Sequence, residues 1–596
     1  MILSALDGYY HRLIEEGKEG VAPIGFSQEK VSYALILAEN GSLVDVQDVR
    51  DTSGKKPVPA ILTVPQPPKR SANIAPCFLW DKSSYVLGAA PAGDQKSCKR
   101  ALEAHRAFKD MHRKLLKECN SLGIKALLAF FEWWTPETFR ESSLFSESML
   151  DGNFVFRMDG EMEYLHECQE GQSVRQAMLQ QTDSPSERCL VTGENQPVAL
   201  LHPSIKGVYG AQTAGASIVS FNLDAFTSYG KSQGQNAPIS EQAAFAYTTV
   251  LNHLLRKGSR QRLQLGDTSV IFWAEAGSAD QAKVAEGAFA DLLNPPTTDA
   301  SETDKLRPTL EAVAKGRPLR ELDPELEDST KLYVLGLAPN ASRLSVRFWE
   351  TGSLRRFAER LAQHYQDLEI KPLPWKTEPS IWRLLLQTVP HREGSQSKSD
   401  DIPPQLAGEM TRAILTGRRY PRSLLSNLIM RMRADGDVSL LRVALCKAVL
   451  TRDSRIANTT KEKEIPMSLD TDNPDPGYLL GRLFAALENI QQSALGRDIN
   501  ATIRDRYYGA ASATPASVFP VLVRNAQNHL SRLRKDNRGA AVNLEKDVNE
   551  IVDKLPASFP KSLRIEAQGR FAIGYYHQNK ARFDGQKSNA KEGEGS

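Results

Sequence analysis

Apolar positions recur at helical spacing in some stretches and alternate in others, and the helical pattern takes over towards the C-terminus. Residues 1–17 (MILSALDGYYHRLIEEG) read as an amphipathic helix. Residues 31–43 alternate enough for a strand, and Asn40-Gly41 supplies a hairpin turn into 44–49. Over 96–122, Ala101, Ala104, Phe108, Met111, Leu115, Cys119 and Leu122 form one helical stripe. Lys99, Arg106, Arg113 and Lys117 fall opposite, diluted by Glu103 and Asp110, so that face is either solvated or phosphate-facing. Residues 126–131 and 154–158 read as short strands, and 269–274 (SVIFWA) as a buried one. Residues 332–337 and 345–350 predict two strands around the turn APNASR, followed by a helix over 354–365. Beyond about residue 375 the strand pattern stops. Helices are predicted over 405–416, 424–433, 438–451, 478–494, 516–535 and 544–553. The fold class is therefore α+β: a mixed α/β N-terminal region, 1–370, then an all-α helical bundle, 376–596. The last dozen residues are expected to be disordered.

One stretch, 205–255, stands apart from this periodicity. Gly207, Gly210, Gly215, Gly230 and Gly234 allow tight turns and close backbone approach. Between them lie neutral amides and hydroxyls, among them Gln212, Thr213, Gln233, Gln235 and Asn236, with Lys206 and Lys231. Pro238, Ser240 and Glu241 then open a helix carrying Ala243, Ala244, Tyr247, Val250, Leu251, Leu254 and Leu255 on one face. A polar loop on a packed helix suits a polyanion or base edges better than acid–base chemistry. A second polar segment follows Pro65, Pro67 and Pro68: Lys69, Arg70, Ser71 and Asn73 come directly after this stiff arm. It reads either as a solvated loop or as an arm placing cations and an amide against a nucleic-acid backbone.

Composition narrows the choice. A chain of 596 residues exceeds one core, so two or three domains are expected. The net charge of +3 argues against a wholly basic coat but leaves room for local basic faces. Such faces are Arg418, Arg419 and Arg422, clustered with Arg431, Arg433 and Arg442, and later Arg524, Lys535 and Arg538 opposite Leu522, Ala526, Leu530 and Leu533. The six cysteines suggest free thiols in a reducing compartment. No signal-peptide pattern appears, and no apolar run approaches the roughly 18 residues of a membrane span. A cytoplasmic protein without membrane attachment is expected. Cys168 and Cys189 near His166 and His202 lack zinc-site spacing, and CLVTGE (189–194) reads as turn chemistry. Phosphate-loop, dinucleotide, zinc-protease and triad motifs are absent, so neither metal nor cofactor is expected.

Several stretches occur together and in order: GFS (25–27), LWDKSSYVLG, CLVTGE, HPSIKGVYGAQTAGASIVSFN, SYGKSQGQNAPISE, FAYTTVLNHLL, LGLAPNASRLSVRFW, YLLGRLFAALENIQQSA, RDRYYGAASATPASVFP and QGRFAIGYYHQ. From residue 1 to about 578 they resemble the large subunit of the type I-C (dvulg subtype, Csd family) CRISPR Cascade surveillance complex. The resemblance implies a non-catalytic subunit near the 5′ handle of the crRNA. Its N-terminal part would read the protospacer-adjacent motif (PAM) of invading double-stranded DNA and promote R-loop formation. Its helical C-terminal part would line the path of the displaced strand. The implied partners are crRNA, target duplex, displaced strand, the other backbone and crRNA-processing subunits, and the CRISPR helicase-nuclease.

Such systems supply their small subunit by internal translation, and residues 467–596 resemble it, with Met467 as the expected start after a KEKEIP segment. Because guide pairing reads the sequence, the protein needs only a short duplex readout, backbone clamps and a strand channel. The candidates for PAM or duplex contact are Lys69, Arg70, Ser71, Asn73, Gln212, Thr213, Lys231, Gln233, Gln235 and Asn236. Those for the strand path are Arg418, Arg419, Arg422, Arg524, Lys535 and Arg538. Two alternatives stay open: a nuclease with a site dispersed over the α/β part, and an architectural crRNA-end cap that reads no DNA.

Overall fold

In the computed structural model, the chain is described except for residues 55, 69–73, 92–94, 181–184, 295–307, 309, 322, 372–374, 376–377, 391–400, 458–464, 497–499 and 594–596. Its contacts divide into two units, Met1–Ile205 with Ser217–His253, and Lys206–Ala216 with Leu254–Ser596.

The first unit begins with α1 (Ile2–Glu15), which buries Leu6, Tyr9, Tyr10 and Leu13, the spacing of one apolar stripe. Strands β1 (Phe26–Val31), β2 (Tyr33–Leu37), β3 (Leu43–Asp48), β4 (Ala60–Pro65) and β5 (Trp80–Lys82) follow, and β6 (Asn153–Met158) comes later. The predicted hairpin forms: β2 pairs antiparallel with β3, and the Asn40 side chain accepts the Ser42 amide at 2.9 Å in the turn. β2 also runs parallel to β6, giving a sheet of order β3-β2-β6-β5, while β1 and β4 make a separate antiparallel pair.

Helices α2 (Ser83–Val86), α3 (Gln95–Leu116), α4 (Leu122–Trp133) and α5 (Thr138–Glu141) lie between β5 and β6 in the chain, and α6 (Gln169–Gln180) follows β6. Two expectations need correction here. The stripe predicted as one helix over 96–122 is broken, because α3 ends at Leu116 and Leu122 already opens α4. Residues 126–131 are helical rather than a strand. The run ALLAFF fits either state by hydrophobicity alone. Helix wins because Ile124, Leu127, Phe130 and Phe131 then share one face, fully buried where α4 packs on β2 and β6. The CLVTGE turn joins β7 (Ser186–Arg188) to β8 (Asn195–Pro197), and α7 (Glu241–Leu254) closes the unit.

The second unit is built on an antiparallel sheet, β12-β11-β10-β9, of β9 (Arg262–Leu265), β10 (Thr268–Glu275), β11 (Lys331–Asn340) and β12 (Arg343–Ser353). Helix α8 (Ala279–Leu293) covers β10. The helical pattern continues with α9 (Leu354–Leu368), α10 (Ile381–Leu385), α11 (Pro404–Thr416), α12 (Arg422–Asp435), α13 (Leu440–Ala457) and α14 (Pro476–Leu495). After these come α15 (Ile503–Ala513), α16 (Pro515–Asp536), α17 (Arg538–Asp553) and α18 (Ile565–Gly593).

The element type changes near residue 375 as the periodicity indicates, yet one core runs from Leu265 to Tyr576, so sheet and helices are buried together. α15 and α18 were not predicted. Of the last dozen residues, expected to be disordered, 585–593 continue α18, and 594–596 lie outside the described residues. The mixed α/β then helical order makes the protein α+β. Among the described residues no helix is long and apolar enough to cross a membrane.

One group of buried polar side chains in this core is tied together. Asp367 on α9 is 1% exposed and receives Arg452 of α13 at 2.9 Å; Arg455 bonds its other oxygen. The Arg452 guanidinium lies 4.2 Å from the ring centre of Tyr420, whose hydroxyl meets His364 Nδ1 at 2.5 Å. Burial holds the His364 imidazole well below its ordinary pKa of 6.5, so it stays neutral beside the cation.

Candidate nucleic-acid interface

In the first unit, the loop before α7 is pinned at its base by backbone. Ala199 N–H donates to Ile239 O at 2.9 Å, Leu190 N–H to Pro238 O at 2.9 Å, and Gly234 N–H to Leu200 O at 3.1 Å. Gly234 is obligatory there, because a Cβ at this position would stand 2.1 Å from Ala199 O. The Cys189 sulfur accepts the amides of Ser240 at 3.2 Å and Val191 at 3.4 Å, joining the β7–β8 turn to the start of α7. Burial pushes that thiol up, but the hydrogen bonds from Ser240 and Thr192 outweigh it and bring its pKa to about 7. Below the loop, His202 Nδ1 meets the Tyr247 hydroxyl at 2.6 Å, both buried.

The tip of the loop is a two-residue hairpin. Lys231 N–H donates to Ser228 O at 2.9 Å, with Tyr229 at φ 51° and Gly230 at φ 70° between them. That conformation favours Gly or Asn, so a Tyr there carries a small backbone cost with no packing to offset it. Its side chain is 100% exposed. Tyr229 was not singled out in the sequence, although the SYGK quartet is itself a turn cue with an aromatic at its centre.

The six described PAM candidates differ in what holds them. Gln235 turns back onto Ser232, accepting its amide and hydroxyl, both at 3.2 Å. Asn236 donates to Lys231 O at 3.1 Å and Gln233 O at 3.0 Å, and accepts the Ser228 amide at 3.2 Å. These two side chains shape the turn. Lys231 is half-exposed and 3.3 Å from Glu187, while the Gln233 side chain is exposed. Gln212 and Thr213 are also exposed, but their segment, Lys206–Ala216, belongs to the second unit. There Tyr209 N–H donates to Ser269 Oγ at 3.2 Å and Gly215 N–H to Gln212 O at 2.9 Å. Lys69, Arg70, Ser71 and Asn73 lie outside the described residues.

On the helical side, Arg418, Arg419 and Arg422 are exposed around the turn into α12, where Arg419 comes within 3.8 Å of Asp453. Two arginines grouped with them in the sequence have structural roles instead. Arg442 is 3% exposed and bonds Asp435 at 2.6 Å and Gln387 O at 3.2 Å, and Arg431 pairs with Asp435 at 3.4 Å. Arg524, Lys535 and Arg538 are exposed on α16 and at the start of α17. Met467 is 42% exposed, nine residues before α14, and its carbonyl accepts the Lys371 amide at 2.7 Å. Among the described residues, no group of His, Cys, Asp and Glu is arranged to hold a metal ion.

No curated protein matches the chain. The family model described as CRISPR-associated protein (Cas_Csd1) matches residues 6–583. That span takes in nearly all of both compact units, with the polar loops and most of the last helix, so the chain belongs to the Cas_Csd1 family of CRISPR-associated proteins.

Proposed function

We propose that the chain is the non-catalytic large subunit of a type I-C Cascade complex in the cytoplasm. In this role it reads the PAM of double-stranded DNA, helps open the duplex for crRNA pairing, and holds the displaced strand for the helicase-nuclease. Family membership supports a Cascade-type role. The observation that carries the duplex-reading part is the loop tip before α7, where Tyr229 is wholly exposed at positive φ above a base locked by hydrogen bonds. A rigid stalk presenting one aromatic, with Gln233 and Lys231 beside it, has the parts to contact a base edge and enter a base step.

The test is binding of the assembled crRNA complex to target duplexes with and without a PAM, at two salt concentrations. Tyr229→Ala/Gln233→Ala is expected to weaken PAM-dependent binding by about tenfold or more, the scale of one lost base contact. Binding to a target already opened at the seed should be unchanged. Lys69→Ala/Asn73→Ala serves as the second arm, since those residues follow the Pro-stiffened segment. Equal PAM discrimination by both variants and the wild type would remove duplex reading from these loops.

The same reading assigns the small subunit to translation from Met467. Intact-mass analysis of the purified complex should then show a species starting at Met467; a complex holding only the full-length chain would refute it.

A further inference from the structure

A cavity of ≈ 260 Å³ opens between α14, α15 and α16 in the second unit. Its floor is apolar, made by Leu487, Leu522 and Ala526, each at most 3% exposed. Two polar groups around it are engaged internally: Gln491 accepts the Ile503 amide at 2.8 Å, and Thr502 donates to Glu488 at 2.8 Å. Arg506, Tyr507 and Asn525 also line it, and among the described residues their side chains make no hydrogen bond or ion pair. His529 completes the rim one turn beyond Asn525, and burial and then Arg532 lower its pKa, leaving a neutral imidazole.

The cavity borders a cationic track. Arg524, Asn528, Arg532 and Lys535 follow one another at helical spacing on α16, and all are exposed. They are set one position from Asn525 and His529, so track and cavity are adjacent on the same helix. From Arg524 to Lys535 the track extends about 16 Å at 1.5 Å per residue. From Pro515 to Lys535 α16 carries no carboxylate. Arg534, on the same helix, pairs with Glu545 at 2.6 Å.

We infer that this cavity takes one unpaired base of a DNA single strand whose backbone runs along the Arg524–Lys535 face of α16. The inference rests on the strand-holding role proposed above and goes beyond it by naming where a base is held. The chemistry is complementary. An apolar floor and a phenol ring suit the base faces, an amide and a neutral imidazole suit its edge, and Arg506 suits the adjoining phosphate. The volume falls below the roughly 300 Å³ at which pockets for drug-sized molecules begin, which suits a single base.

The test uses the full-length chain and fluorescently labelled twelve-nucleotide thymidine DNA, beside the same strand with abasic positions. Neither needs a PAM or a guide, so failure here is separable from failure of PAM reading. Asn525→Leu is expected to weaken the base-bearing strand about five- to tenfold and to leave the abasic strand unchanged. Arg524→Ala/Lys535→Ala should weaken both strands alike and flatten the salt dependence. A wild-type arm does not depend on any variant folding: a 2-aminopurine placed in the strand should be quenched on binding as it stacks on Tyr507. Absence of quenching, or equal losses on both strands for Asn525→Leu, would overturn the inference. So would base-dependent binding confined to an RNA strand.

Discussion

Asp367→Ala is expected to destabilise the second unit by about 3–5 kcal/mol, the cost of leaving a buried cation without its counter-charge. Arg452 is 0% exposed and would keep only its bonds to carbonyls, Ala413 O at 3.0 Å and Arg418 O at 3.4 Å, and its stack on Tyr420. Lys447, also buried, reaches the Asp367 backbone carbonyl at 3.1 Å, so it gives no replacement charge of the right sign. The effect separates from simple loss of volume in the double variant. Asp367→Ala/Arg452→Met removes both charges and should recover a large part of the loss, as apolar replacements of buried pairs do. Unfolding of a chain with two units is not one transition, so hydrogen exchange on α9 and α13 is the appropriate readout. Fast exchange in both helices for the single variant and slower exchange for the double one is the expected result. Equal protection in all three proteins would show that the pair contributes nothing. Because Arg452 holds the Arg418 carbonyl, the double variant, which lacks that guanidinium, should loosen the turn that presents Arg418, Arg419 and Arg422.

The sequence made that turn visible but not its anchor. Six arginines in 418–442 read alike as a basic cluster, since spacing says nothing about which guanidinium meets a carboxylate from elsewhere. Arg442 is buried because Asp435 and the Gln387 carbonyl converge on it, one of them a contact across 55 residues. The amide-rich loop shows the same limit. Its composition indicated hydrogen-bonding side chains, yet Gln235 and Asn236 use theirs on the turn itself. Which amides remain free depends on the short helical turn at 233–236, and that turn is fixed by Gly234 fitting against Ala199, 35 residues upstream.

Elements with a strong period were legible. The hairpin at Asn40-Gly41, β10, β11, β12, α7 and α9 all stand where alternation or a helical stripe put them. The misses are runs where the period is ambiguous or hidden. ALLAFF fits both states, and RDRYYGAASA and QGRFAIGYYHQ interrupt their stripes with glycine and paired aromatics. In α18 those glycines are not breaks but the means of packing.

That packing gives the other large expected effect: Gly481→Ala should destabilise the α14–α18 pair by about 3 kcal/mol, the upper part of the range for overpacked cores. Along α14, Gly477 and Gly481 lie one turn apart and face α18. A Cβ on Gly477 would come within 2.5 Å of Ala567 O, and one on Gly481 within 2.0 Å of Phe571 O. From the opposite side, a Cβ on Gly574 would stand 2.1 Å from Tyr478 O. All three obstacles are backbone carbonyls, which no rotamer change can move aside, so even one methyl group forces the helix axes apart. Separation would also strain the contacts that lock this crossing, Tyr478 with His577 at 3.0 Å, Tyr575 with Glu488 at 2.6 Å, and Arg482 with Gln578 at 2.9 Å. Glu488 is 3% exposed, and losing Tyr575 would leave this buried carboxylate with Thr502 as its side-chain hydrogen-bond donor among the described residues. Gly496→Ala is the matched control: it lies just past the end of α14 with no atom of the described residues near its would-be Cβ, and its cost should come from its positive φ. Hydrogen exchange on α14 and α18 should therefore rank the variants wild type, Gly496→Ala, Gly481→Ala in order of falling protection. A Gly481→Ala protein as stable as the wild type would mean that α14 and α18 do not approach this closely. The whole seam lies within residues 467–596, so a fragment translated from Met467, as proposed above, would keep this helix crossing, and the same substitution should lower the amount of both fragment and full chain recovered in the proposed complex.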